Sequence, residues 1–258
     1  MQTLKIVKIG GAIINDSKKL ATFLEKFAAL NEPKILVHGG GKIATSLAHQ
    51  MNIEVNMHEG RRITNADTLE IITMAYAGKI NKNIVASLQA YHCNAIGFSG
   101  ADGNTIIANK RPIQKIDYGF VGDIKKVHTT VVDLLITHKI TPIFCAITHD
   151  AQGQLLNTNA DTIASELAIA FSKKYKVELY YCFEKKGVLR SIEDEDTIIE
   201  TITETNYKSL IDEGIITAGM IPKIDNCFHA IKHKVHKVCI GLTDMLFNPT
   251  FTHTSIQQ

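Results

Sequence analysis

The chain has 258 residues, with 28 basic and 26 acidic side chains for a formal charge of +2, 7% aromatics and no Trp. That length buries a sizeable core, as one large α/β domain or as two lobes sharing a sheet, and excludes a small disulfide-stapled scaffold. The near-neutral balance is no nucleic-acid footprint, and the five cysteines, Cys93, Cys145, Cys182, Cys227 and Cys239, form no C-x-x-C pair for zinc or redox chemistry.

The N-terminal MQTLKIVKIGG runs almost directly into a short apolar strand and has no signal-peptide pattern. With no apolar run near ~18 residues and scattered cysteines, a soluble cytoplasmic protein with reduced thiols is expected. After the strand LKIVKI come a helix over 18–30, the strand KILV and a helix over 42–51. β-Branched runs alternating with amphipathic segments predict parallel strands joined by crossover helices. IEVNMHEGRRIT alternates like a hairpin, and NADTLEIITMAYAGKINKNIVASLQAY has helical spacing behind an Asn65 cap. The strand AIGF leads into the glycine-rich SGADGN, and residues 105–127 read as a two-stranded excursion from the main sheet. A helix VVDLLITHK, a strand TPIFCAI, and a turn with a long apolar helix in GQLLNTNADTIASELAIAF follow. The remainder predicts a strand KVELYYCF, a charged turn EKKG, helices over 204–213 and 220–235, and a last strand KVCIGL. A boundary near residue 170 divides the chain into lobes 1–170 and 171–258.

The second strand ends in HGGGK, where Gly39, Gly41 and Ala44 fit G-x-G-x-x-A. A dinucleotide fingerprint belongs at the first strand–helix turn, with an acidic residue ~20 positions on. Here the first turn is instead VKIGGA, with Lys8, Gly10 and Gly11. Two successive glycine-rich strand ends can present bare backbone N–H groups to an anion, which suits a phosphoryl group better than a nicotinamide. No Walker A pattern occurs, so any nucleotide is bound by another scheme.

Lys8, at the carboxyl end of a buried strand, must either reach water or meet a negative partner. Gly219 and Pro222 mark a helix start that puts Lys223 in the first turn, where the helix dipole disfavours a cation. A solvated lysine is one reading, and a grip on an anion at that N-terminus is the other. In NTNAD, Asn159 caps the next helix and Asp161 enters its first turn, where it could also hold two ammonium groups. His229, His233 and His236 have metal-ligand spacing on one helix, but interleaved lysines make that face a solvated basic one.

KIGG, HGGGK, EGRRIT, GFSGADGN, NTNAD and GIITAGMIPK, in this order along the whole chain, resemble the acetylglutamate kinases of the amino acid kinase family. The resemblance implies an α/β fold, a three-layer αβα sandwich with an open, mostly parallel eight-stranded sheet. It puts acyl-glutamate binding and dimerisation in 1–170, and ATP in 171–258. Lys8 and Lys223 would bind the transferring phosphoryl group, with Gly10 and Gly11 beside it, and Asp161 would orient both lysines. Gly40, Gly41, Arg62 and Asn157 would hold the acceptor, and Glu184, Gly187, Ile216 and Thr217 the ATP, used with Mg2+. The reaction implied makes the γ-acyl phosphate of N-acetyl-L-glutamate in arginine biosynthesis. The acceptor carboxylate is already ionised, so positioning and charge neutralisation suffice.

One segment departs from the family. After KVELYYC, relatives show threonine or serine, an aspartate and a small turn ending in glycine, whereas CFEKKG puts Glu184 at the aspartate position and adds Lys185 and Lys186. N-succinyl-L-glutamate stays open as an acceptor, with Arg61, Lys42 or the SGADGN loop available to a second carboxylate. A non-catalytic sensor of nucleotide or amino acid also stays open. A homodimer insensitive to arginine is expected, because arginine-sensitive relatives have a further helix before the first strand and only Met1 to Thr3 precede LKIVKI.

Overall fold

The β-branched runs assemble, in a computed structural model describing residues 1–58, 60–191, 193–217 and 220–258, into one eight-stranded sheet. Its order is Thr201–Ile202, Thr254–Ile256, Lys237–Gly241, Lys176–Cys182, Thr3–Ile9, Lys34–His38, Thr141–Cys145 and Ala95–Phe98. All neighbours pair in parallel except Lys237–Gly241 with Thr254–Ile256, which are antiparallel. Lys34–His38 and Thr141–Cys145 are buried at every position, as strands covered by helices on both faces must be. Gly219, read as marking a helix start, and Glu59 of EGRRIT lie outside the described residues.

Chain order reverses beside Thr3–Ile9: the next strand pairs on one edge, and Lys176–Cys182 comes back on the other. At such a switch point the loops leaving the strand ends diverge, opening a crevice at the carboxyl edge. Both glycine turns lead from that edge into helices, Gly11–Ile14 and Gly41–Gln50.

The excursion over 105–127 is a pair, Ile106–Lys110 with Gly122–Val127, extended by Ile147–His149 and Leu155–Asn157 into a four-stranded sheet. The three-residue strands were not expected, being too short to show alternation, and Asn157 ends one of them. The hairpin reading is met by Met57–His58 paired with Arg61–Arg62. The long segment behind Asn65, whose side chain accepts from the Thr68 N–H at 2.9 Å, is α-helical over Ala66–Thr73 and Asn81–Ala90. Between them Met74–Ile80 widens into a π-helix. That widened stretch carries Tyr76 and Ile80 against Gly40, where a Cβ would collide with the Ile80 side chain.

Gly119 ties the excursion to the main body. Its φ is +69°, and a Cβ there would overlap the Thr64 carbonyl, whose oxygen accepts from the Phe120 N–H at 2.7 Å. Gly119→Ala therefore combines a left-handed backbone with a backbone clash. We expect a loss of roughly 2 kcal/mol or more in urea unfolding. An unchanged unfolding midpoint would contradict this packing.

Candidate active site

Asp161 is the centre of the site. Its helix, Ala160–Phe171, begins at Asn159, whose side chain accepts from the N–H groups of Asp161 at 2.7 Å and Thr162 at 3.1 Å. The cap is the one read from the sequence, and it fixes a carboxylate in the first turn, only 6% exposed. Lys8 is in register with Val37 on one side and Tyr181 on the other, so its ammonium leaves the sheet at the crevice. It meets Asp161 Oδ1 at 2.8 Å. Lys223, in the first turn of Ile221–Lys232 behind Pro222, brings its Nζ to 3.7 Å from Oδ2.

Burial alone would raise the Asp161 carboxyl, but Lys8 and Lys223 outweigh it and hold it below the ordinary aspartate value. Burial lowers the Lys223 ammonium from the ordinary lysine value, Asp161 opposing and Lys8 adding to the effect. Tyr181, which sequence reasoning did not single out, donates its hydroxyl to the Asp161 carbonyl oxygen at 3.0 Å. It ties the start of the helix to the strand beside Lys8.

In front of these groups opens a cleft of about 450 Å³ lined by Lys8, Gly10, Gly11, Glu184, Gly187, Thr217 and Lys223. Seven of the sequence-predicted phosphate, catalytic and ATP positions thus line one cleft. Two positions do not line it: Asp161 is buried behind the two lysines, and the Ile216 side chain is buried in the core, Ile215 lining the cleft instead. Lys185 and Lys186 are not loose charge beside it, because they pair with Glu195 at 2.9 Å and Asp196 at 3.3 Å. Phe183 also lines the cleft and puts its ring under the Lys223 ammonium, 4.0 Å from Nζ to centroid.

The second glycine turn abuts the same helix, since a Cβ on Gly39 would lie 3.9 Å from that of Ala160. Gly41 has open space where a side chain would be. Arg62 Nη2 donates to the Gly41 carbonyl at 3.1 Å and to Thr45 Oγ1 at 2.8 Å. Asn157 Nδ2 donates to Thr64 Oγ1 at 3.0 Å, and that hydroxyl donates to the Arg62 carbonyl at 3.2 Å. Gly41, Arg62 and Asn157, far apart in sequence, are thereby linked by one run of hydrogen bonds. The turn is held from below by His38, which burial pushes down to about 4 and so keeps neutral. Its ring joins the Gly39 carbonyl at 2.9 Å and the Asn81 amide at 3.0 Å, and Asn81 also donates to the Ile143 carbonyl at 2.8 Å. Elsewhere, His229 of the basic helix face faces Glu166 at 3.1 Å.

A sequence model of the amino acid kinase family matches residues 3–241. The chain is 54% identical over 247 residues to the acetylglutamate kinase of Cytophaga hutchinsonii, covering 95% of this chain and 94% of that one. The crystal structure of smu.665 from Streptococcus mutans UA159 is similar with a TM-score of 0.81 at 26% identity, covering 98% of both chains. Carbamate kinase from Giardia lamblia bound to AMP-PNP shares the fold with a TM-score of 0.73 at 13% identity, over 100% of this chain and 98% of that one.

The triad makes a pH prediction. With its folded value depressed, Asp161 stabilises the fold above about pH 4, and that stabilisation is lost as the pH falls through the folded value. In Lys8→Met/Lys223→Met burial is unopposed, the carboxyl rises, and ionising it at neutral pH becomes a penalty that acid relieves. Urea unfolding across roughly pH 4.5 to 7.5 should show the gap between wild type and double variant widening with pH. A constant gap would contradict the arrangement.

Proposed function

Since the chain belongs to the amino acid kinase family, we infer that it transfers the γ-phosphoryl group of ATP to the γ-carboxylate of N-acetyl-L-glutamate. The product is N-acetyl-L-glutamyl 5-phosphate, an intermediate of arginine biosynthesis. The observation that supports this most is the pair of ammonium groups held on one buried carboxylate between two glycine turns. A sensor that only bound glutamate derivatives would have no use for such a pair.

The acceptor carboxylate is ionised at neutral pH and needs no base, so the residues have to align two anions and neutralise charge spreading over the equatorial oxygens. Lys8 and Lys223 do the second, and Asp161 holds them without touching the phosphoryl group. Gly10 and Gly11 supply N–H groups on the donor side, Gly40 and Gly41 on the acceptor side, where the first turn of a helix leaves them without partners. Arg62 takes the planar α-carboxylate of the acceptor through its fork of donors, and Asn157 takes the acylamino group. ATP enters as its magnesium complex, the metal carried on phosphate oxygens, with the nucleoside toward Glu184, Gly187, Thr217 and the backbone at Ile216. The acceptor thus rests on lobe 1–170 and the nucleotide mainly on 171–258, Lys8 reaching across.

A homodimer belongs to this reading. Ala95–Phe98 is an edge strand with Ile96 41% exposed, and the helix Thr130–Thr137 exposes Leu134 at 58%, an open edge and an apolar side chain that a second copy would cover. All five cysteines are free and buried, which supports a reducing, cytoplasmic setting. No helix among the described residues is long and apolar enough to cross a membrane.

A coupled ADP-release assay with N-acetyl-L-glutamate tests the reading. Lys8→Ala and Lys223→Ala should each lower kcat by roughly 10²- to 10³-fold, the scale for losing one preorganised charge-stabilising donor, and a change confined to KM would refute those roles. Arg62→Ala should raise KM for the acyl-glutamate and leave KM for ATP nearly unchanged. Light scattering should give a dimer that Leu134→Glu dissociates, and a monomeric wild type would overturn the assembly.

A further inference from the structure

Phe183 is out of place by ordinary rules. It opens the polar turn CFEKKG, lines the cleft that faces phosphate, and has no hydrogen bond to offer a ligand. Its backbone is fixed by an N–H bond to the Gly241 carbonyl at 2.7 Å, so the ring stands at the end of its strand on a rigid base. Directly over that ring lies the Lys223 ammonium, 4.0 Å from the centroid, well inside the ~6 Å over which the negative face of an arene attracts a cation.

Lys223 needs such a partner. Asp161 is shared: Lys8 takes one oxygen at 2.8 Å, and Lys223 is left with the other at 3.7 Å, near the limit of an ion pair. The remaining groups facing the ammonium act against it or weakly. Lys8 repels it, the start of its own helix carries positive partial charge, and Cys227, one turn on, is a buried thiol kept protonated by its burial. The side chain is still 34% exposed, so without the ring a long flexible lysine would be free to leave the cleft for water.

We propose that Phe183 is a positioning residue for Lys223, its ring face holding the ammonium where the transferring phosphoryl group meets it. This deepens the kinase reading above and rests on it. The ring takes no part in bond making; it limits the orientations that Lys223 must give up when phosphate arrives.

The test replaces Phe183 with phenylalanine bearing one, two or three ring fluorines, which drain the ring face in steps at nearly constant shape, with Phe183→Tyr and Phe183→Leu as end points. Two quantities are read. One is the titration of Lys223 in the ligand-free protein, by NMR of labelled lysine assigned with Lys223→Arg. The other is kcat with N-acetyl-L-glutamate and MgATP. Each fluorine should lower the Lys223 titration point, by about half a unit or more in total, and should lower kcat stepwise, by roughly 2- to 30-fold at Phe183→Leu. Phe183→Tyr should keep both near wild type. A Lys223 titration flat across the fluorinated series overturns the proposal, as does an effect confined to KM for ATP, which would make the ring a nucleotide contact. A wild type without kinase activity would sink the functional reading alone, since the titration still judges the ring.

Discussion

A carboxylate removed from water and facing two ammonium groups is the arrangement on which the rest of the site depends. Burying Asp161 as an anion is unfavourable by several kcal/mol unless charge and hydrogen bonds compensate, and here the compensation is the pair of lysines Lys8 and Lys223. The three groups together carry a net positive charge at the crevice. On the proposed reading a polyphosphate arriving there meets cations already in place, so little reorganisation accompanies the reaction. The fold serves this pairing. A parallel sheet brings Lys8 to its carboxyl edge, the Asn159 cap fixes the carboxylate in a first turn, and Tyr181 fastens that turn to the neighbouring strand.

Around the triad the site is made mostly of backbone. Glycine turns let N–H groups face the crevice without a Cβ in front of them, and open space at Gly41 beside crowding at Gly40 shows two different uses of the residue. One leaves open space in front of the turn, while the other lets a helix press on the turn from behind. His38 contributes as a neutral ring: a charged imidazole behind the turn would add a cation, whereas a neutral one only bridges the Gly39 carbonyl and Asn81.

Much of this could be read from local rules. Asn159 and Asp161 follow capping preference, and Lys223 stood out by defying it, since a cation in a first turn calls for an anion nearby. The alternation of strands and helices predicted the parallel sheet. Contacts between distant segments could not be read. Thr64 and Asn157 meet across 93 residues and Tyr181 reaches back 20. The π-helical turn at Met74–Ile80 keeps ordinary helical spacing in its sequence. Ile215 and Ile216 are both apolar, and only tertiary packing decides which one faces the cleft. Phe183 was read as the last residue of the strand KVELYYCF, where an aromatic suggests nothing until the lysine above it is seen.

The two lysines are not equivalent, and the difference bears on catalysis. Lys8 is buried against its carboxylate in a close pair. Lys223 is held at longer range, over a ring, with burial, Lys8 and a helix start all weakening its hold on the proton. On the proposed reading each of those influences turns to advantage when an anion arrives, because the phosphate answers the helix start and screens one ammonium from the other. Interactions of this kind strengthen as charge gathers on the transferring group, and binding that is stronger in the transition state than before it is what accelerates a reaction. On that reading Lys8 sets the geometry, and Lys223 answers the charge that gathers on the transferring phosphoryl group.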